Sequence, residues 1–338
     1  MRLKNFVPTA LSPAMSAAVA ALAALVLMPS LASADFAQSP MLAAEVADGK
    51  LPPVDQRLPQ PPRVIETGPG AYGGDLRIAM SRSRDTRLMT VYGYARLVGY
   101  DGDYNLVADI LESYEAVDDK VFTFKLRKDH KWSDGHPFTT EDFRYWWEDM
   151  ANNSDLSPLG PPVLLKVDGE VPNVEILDEH TIRFTWSKPN PFFLLALAGP
   201  RPPFIYRPAH YLKQFHEKYA APAALAKKVE ESGQRDWAAL HHLNDRQYKN
   251  VNPDLPTLQP WVLRTAPPAE RFVFERNPYY HRIDPQGHQL PYIDKVVMGL
   301  AGSKLIPAKA GTGEVDLQAR YISFDNFSFL KDNEDQYD

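Results

Sequence analysis

Hydrophobic and polar positions change period several times along this chain, and each change marks an element. Between Asp75 and Met80, Leu76, Ile78 and Met80 recur at every second position, the spacing of a strand with one buried face. Residues 121–126 alternate in the same way, with Phe122, Phe124 and Leu126 on one side and Thr123 and Lys125 on the other. Residues 174–176 and 181–186 predict a hairpin through Asp178-Glu179-His180, with Ile182, Phe184 and Trp186 facing one way. Further strands are expected at 271–275 and 291–298. The period lengthens at Phe143. Phe143, Trp146, Trp147 and Met150 fall at i, i+3, i+4 and i+7, a helical stripe whose spacing favours core packing over a ligand-stacking platform. Thr139 is placed to cap that helix, with Asp142 three residues on as its capping-box partner. Helical segments are also expected over 208–219 and 221–240. Strands and helices mix without a regular βαβ rhythm, so the expected class is α/β with a mixed sheet.

Between these elements the punctuation is informative. Residues 38–70 contain Pro40, Pro52, Pro53, Pro59, Pro61, Pro62 and Pro69 and read as an extended tethering arm, with the fold beginning at Gly73-Gly74. Asp101-Gly102-Asp103-Tyr104-Asn105 reads as a turn. It lacks the spaced oxygen ligands and terminal glutamate of a calcium loop. At the start, Arg2 and Lys4 precede an apolar run over 17–28, and Ala32-Ser33-Ala34 follows, the pattern of a cleaved secretion signal with a mature chain from Asp35. That run is shorter than the roughly 20 residues of a membrane-spanning helix.

Composition narrows the chemistry. At 338 residues the chain is long enough for two domains or one large composite domain. A net charge of −6 with no long block of one sign argues against a nucleic-acid surface. The chain has no cysteine, which excludes a disulfide scaffold, thiolate catalysis, a Cys-ligated zinc site and a lipid anchor on cysteine. Export without an anchor points to the periplasm. The nucleophile elbow, the phosphate-binding loop and the His-Glu-x-x-His metal helix are all absent. His241 and His242 are adjacent, His210 and His216 are six apart, and His281 and His288 flank a Gly/Pro loop, so no pair has metal-ligand spacing. Carboxylates are plentiful but no pair is singled out. No catalytic residue, metal or cofactor is assigned.

An ordered series of segments resembles the family 5 extracellular solute-binding proteins, the peptide- and in some cases oligosaccharide-binding components of ABC importers. The series opens with Gly73-Gly74-Asp75-Leu76-Arg77-Ile78-Ala79 and continues through residues 97–107, 111–115 and 122–128. Its most specific member is Lys131-Trp132-Ser133-Asp134-Gly135-His136-Pro137-Phe138-Thr139-Thr140-Glu141-Asp142-Phe143. Pro208-Ala209-His210-Tyr211-Leu212, the run from Phe272 to Tyr280, Leu290-Pro291-Tyr292-Ile293-Asp294 and Gly313-Glu314-Val315-Asp316 follow in order. Two segments depart from the family pattern. Pro256-Thr257-Leu258-Gln259-Pro260-Trp261 stands where a Gly-Thr-Gly-Pro-aromatic segment is usual, and the loop over 282–289 is longer than in many relatives.

The resemblance implies a two-lobed clamshell. Its expected parts are a signal peptide over 1–34, the arm over 35–72, a first lobe segment over 73–99 and an inserted subdomain over 100–187. The lobe returns over 188–316, and 317–338 begins a second lobe that is otherwise missing, so the chain is expected to be a fragment. Backbone groups around Ser81, Arg82, Ser83 and Arg84 are expected to meet an extended ligand, and Trp261 to line the cleft. The implied function is periplasmic capture of oligopeptides or dipeptides for the permease subunits of an importer, by a monomer that is not an enzyme and binds no nucleic acid. Oligosaccharide is the alternative ligand, and a periplasmic hydrolase the alternative class.

Overall fold

The computed structural model describes residues 36–66, 68 and 70–334, so the expected signal segment lies outside the described residues. Among the described residues the chain forms twelve strands: β1 (Arg63–Val64), β2 (Asp75–Met80), β3 (Val98–Tyr100), β4 (Leu106–Ala108), β5 (Leu111–Val117), β6 (Val121–Leu126), β7 (Asn173–Asp178), β8 (Thr181–Thr185), β9 (Trp261–Leu263), β10 (Arg271–Arg276), β11 (Arg282–Ile283) and β12 (Lys295–Leu300). Besides the two-stranded sheets β1-β11 and β3-β4, they build two four-stranded sheets. One is antiparallel in the order β5-β6-β8-β7. The other runs β2-β12-β10-β9 and is mixed, with β2 parallel to β12 and the remaining pairs antiparallel. The class is the mixed α/β that the alternating segments predict.

Each four-stranded sheet buries the face its period dictates. Phe122, Phe124, Ile182, Phe184 and Trp186 are buried together under β6 and β8. Phe193 closes this cluster, its ring centroid 4.9 Å from Trp186 and 5.1 Å from Phe122. Ile78, Met80, Leu263, Phe272, Phe274, Val296 and Met298 form a second, smaller core on the mixed sheet. At roughly 1.5–3 kcal/mol per fully buried apolar side chain, these faces fix the register of the strands that carry them.

The helix after Thr139 begins as the sequence indicates. Thr139 has extended backbone, its hydroxyl accepts from the Glu141 N–H at 3.3 Å, and the Asp142 carboxylate accepts from the Thr139 N–H at 3.1 Å. Asp142 also accepts from Trp132 Nε1 at 3.1 Å and from the Ala209 N–H at 3.0 Å, joining three segments at one buried carboxyl. Burial pushes that carboxyl up to about 7, against the three donors, which favour its charged form. The stripe beyond it shifts phase. Over Tyr145–Ala151 the helix widens to π winding, which turns Tyr145, Trp146 and Met150 inward and leaves Trp147 half-buried.

Two expectations about chain path are corrected. The proline-rich stretch is no free arm. It contributes short helices at Ala43–Ala47 and Val54–Arg57, strand β1 parallel to β11, and a small core of Val54, Leu58 and Ile283. Arg57 is wholly buried and pins the stretch by donating to the carbonyls of Pro52 and Pro278 and to the side-chain oxygens of Gln38 and Gln289. Burial lowers its pKa to about 10. The helix expected over 208–219 ends early, as Ala209–Leu212 and a 3₁₀ turn Lys213–Phe215. His216 leaves the helical path so that its ring can bond the Asp149 carbonyl at 2.9 Å and accept the Lys218 N–H at 3.1 Å. The segment over 221–240 divides into helices Pro222–Ser232 and Trp237–Asn244, broken at Gly233, whose φ of +65° suits glycine.

A buried ionic cluster ties the elements between the sheets. Asp109 bonds His281 Nε2 at 2.9 Å, the Arg282 guanidinium at 2.6 and 2.8 Å and the Arg96 N–H at 2.9 Å. Burial alone would raise the Asp109 carboxyl, but Arg282 and His281 outweigh it and hold it well below the usual range. Burial pushes His281 down to about 4, against the pull of Asp109. His130, whose ring centroid lies 5.1 Å from that of His281, is lowered by burial and by its neighbours His281 and Arg127.

Two measurements test these anchors. Asp142→Asn keeps the shape but sets an NH2 against an N–H donor, so thermal or denaturant unfolding should record a loss of about 1–3 kcal/mol. For His281 the folded pKa lies below the ordinary 6.5, so the unfolded chain takes up the proton first. The stability this group contributes is complete above about pH 6.5 and falls on acidification towards pH 4, by an amount on the order of 3 kcal/mol. His281→Gln should be less stable at pH 7 but show a shallower decline of Tm over that window.

Candidate functional site

The site begins where β2 stops. Period two sends the backbone N–H and C=O groups of Arg77, Ala79 and Ser81 to the edge of β2 away from β12. The segment over 316–318 occupies the first part of this edge. Asp316 Oδ2 accepts the Arg77 N–H at 2.6 Å, and the Asp316 N–H donates to the Arg77 carbonyl at 2.9 Å. At Ala79 the Gln318 side-chain amide substitutes for a strand, accepting the N–H and donating to the carbonyl, both at 3.0 Å. Ser81 comes next on the same edge. Its N–H and carbonyl, and the N–H of Arg82, make no hydrogen bond among the described residues. Arg82 is exposed and extended, with φ −144° and ψ 136°, so it prolongs the strand line.

The turn that follows is held firmly. Ser83–Arg87 is a 3₁₀ turn in which buried Asp85 receives Arg320 Nη1 at 2.9 Å and the Tyr321 hydroxyl. On its other side, the Thr86 hydroxyl lies 3.0 Å from both the Ser83 and the Lys249 carbonyl and shares its one proton between them. Asn250 Nδ2 in turn donates to Thr90 Oγ1 at 3.1 Å. A groove of about 410 Å³ opens beside this turn, with Ser83, Arg84, Arg87, Arg201, Arg246 and Tyr248 in its wall. Its size is that of a small-ligand cleft.

Of the expected ligand-binding residues, Ser81, Arg82, Ser83 and Arg84 therefore lie together at one sheet end. Trp261 does not join them. It pairs with Arg276 at the end of the sheet where β2 starts, a strand's length of roughly 17–20 Å away. Its Nε1 donates to the Ile293 carbonyl at 3.2 Å, and its half-buried ring packs on the smaller core. Asp316, Gln318, Arg320 and Tyr321 went unassigned in the sequence. Gly313-Glu314-Val315-Asp316 marked the place, but nothing in a lone Gln318 signals a backbone partner so distant in sequence. Among the described residues no group of three or more His, Asp or Glu could hold a metal ion, and no helix is long and apolar enough to cross a membrane.

Residues 105–337 match the family described as bacterial extracellular solute-binding proteins, family 5, middle part, and the chain belongs to that family. A solved oligopeptide-binding protein OppA superposes with a TM-score of 0.81 at 36% identity, covering 89% of this chain and 48% of that one. The periplasmic alpha-galactoside-binding protein of Rhizobium meliloti is 27% identical over 80% of this chain and 40% of its own length. The periplasmic binding protein MelB of Agrobacterium fabrum C58, solved with stachyose, is 26% identical with a TM-score of 0.67, over 88% of this chain and 45% of that one. The chain thus spans less than half the length of each of these relatives.

Gln318→Ala removes both bonds to Ala79 and leaves the β2 core intact. Amide exchange at Ala79 is expected to quicken about tenfold, the equivalent of roughly 1.4 kcal/mol, while Val296 and Met298 stay protected. Unchanged exchange at Ala79 would show that the segment over 316–318 does not hold this edge.

Proposed function

We propose that this chain is the periplasmic substrate-binding component of an ABC importer, capturing oligopeptides or dipeptides and delivering them to the permease. Residues 73–99 and 188–316 would form one lobe of the clamshell, 100–187 its inserted subdomain, and 317–338 the start of the second. The protein acts as a monomer, follows an export signal over 1–34 that is removed, and releases its ligand chemically unchanged.

The observation that carries this reading is the open backbone of Ser81 and Arg82 at the end of a strand edge that is occupied at Arg77 and Ala79. An extended peptide would satisfy these groups by adding as a short strand, which recognises main chain and tolerates many side chains. The family supplies the context of solute capture, and the neighbour OppA is itself named for oligopeptides.

Oligosaccharide is the second reading, favoured by the two relatives named for α-galactosides and stachyose. Sugar recognition needs an open aromatic face. Of the two aromatics lining the groove beside Ser83, Phe272 is buried in the sheet core, and the Arg201 guanidinium covers the Tyr248 ring at 4.7 Å. Trp261 lies at the far end of the sheet. The Ser81 edge therefore suits main-chain pairing, and the groove beside it offers no open aromatic face for ring stacking.

Calorimetry of the purified chain with trialanine and with stachyose separates the readings, and recovery of intact ligand after long incubation tests the absence of turnover. Trialanine is expected to bind. Replacing one of its amides by an ester, which deletes an N–H, or introducing Ser81→Pro, which deletes the open donor, should weaken binding about tenfold. Saturable binding of stachyose with none of peptide would overturn the peptide reading.

A further inference from the structure

The groove beside Ser83 concentrates cations that nothing in the fold neutralises. Arg84, Arg87, Arg201, Arg246 and Lys249 all border it, and no carboxylate does. Among the described residues none of the five makes an ion pair, and the one aromatic partner is Tyr248 under Arg201. The adjoining depression shares Arg201, Arg246, Tyr248 and Lys249 and adds Asp245, but that carboxylate is already paired with Arg207 at 2.6 Å.

Several arginines elsewhere have carboxylate partners, as in Arg77 with Asp316, Arg144 with Glu141, Arg276 with Asp294 and Arg282 with Asp109. The chain as a whole carries a net charge of −6. A local excess of five positive charges in a concave wall, on an acidic protein, creates a field that draws small anions. Guanidinium groups also present forked donors that fit a carboxylate in two parallel bonds.

The position specifies the source of the anion. Ser81 and Arg82 offer the open strand edge, and Ser83 and Arg84, the next residues along, enter the groove wall. A peptide paired at Ser81 runs on towards the cations, and a carboxylate on it would meet them within one or two residues at about 3.3 Å per residue.

We propose that this groove is an anion subsite selecting peptides that carry acidic side chains, or a terminal carboxylate, next to the segment paired at Ser81. The proposal rests on the peptide reading above and adds a charge preference to it.

Calorimetry at low and physiological salt with trialanine amide, trialanine free acid, triaspartate amide and citrate tests it. Triaspartate amide is expected to bind at least tenfold more tightly than trialanine amide, and added salt should shrink that gap. The double variant R87Q/R246Q should bind the two amides with equal affinity. K188Q/K227Q, which removes two cations exposed elsewhere, should leave the gap unchanged. Equal affinity for the two amides overturns the subsite and leaves peptide capture standing. Loss of the gap in K188Q/K227Q as well would assign the preference to overall charge and also overturn the subsite. Binding of citrate alone, lost in R87Q/R246Q, overturns the peptide source for the anion together with the peptide reading. Failure of every probe to bind overturns both proposals.

Discussion

The parallel pairing of β2 with β12 is the constraint on which the site depends. These strands lie far apart in sequence, and everything between Ser81 and Asp294 must leave the first and return to the second. The entropy of closing such a connection grows only slowly with its length, so a large subdomain fits within it. Burial of Ile78, Met80, Val296 and Met298 on one face holds the pair together. Because side chains alternate, a slip of one residue would expose that whole face, so burial also fixes the register at Met80 beside Leu300. The first residue beyond the sheet is then Ser81. Its placement follows from the hydrophobic pattern of the strands that carry it.

The other edge of β2 is governed by a different chemistry. There the covering segment pairs by polar side chains, Asp316 at Arg77 and Gln318 at Ala79, in place of a continuous ladder. Side-chain partners end where the side chains end. This is why Ser81 and Arg82 keep open backbone groups on a strand edge that is satisfied at Arg77 and Ala79. Exposed strand edges are usually blocked because they invite pairing. Here the blocking stops one step short of the groove, and Asp85, with Arg320 and Tyr321, holds the stop in place.

What the sequence made legible was short in range. Phe122, Phe124 and Leu126, the hairpin at Asp178, and the Thr139–Asp142 cap each declare themselves within a few residues, because period and capping are local properties. Long-range polar contacts were not legible. The proline-rich stretch has the composition of a linker, and only the three-dimensional meeting of Arg57 with Pro278 and Gln289 turns it into a packed element. The π winding after Tyr145 was hidden for a related reason. A stripe at i, i+3, i+4 and i+7 assumes a uniform helix, and Trp147 falls off the buried face once the pitch changes. At the site, the residues expected to meet a ligand, Ser81–Arg84, were named only as a stretch of chain. The cations that give its groove a character, Arg201, Arg246 and Lys249, come from segments that no local pattern links to it.

The two charged regions of the protein illustrate what arginine does in each setting. Asp109 sits between the side chains of Arg282 and His281 and accepts the Arg96 backbone N–H, and removing either side chain would leave a charge or polar group stranded in the interior, an arrangement that fixes a geometry. The groove beside Ser83 is the converse. Its cations are exposed or half-exposed and mutually repelling, and among the described residues none is locked in an ion pair. A hydrated charge can exchange its water for a ligand oxyanion, whereas one locked in a buried pair cannot. The same residue type therefore stabilises at Asp109 and remains available at Ser83, and the difference is set by whether a carboxylate of the chain itself arrives first.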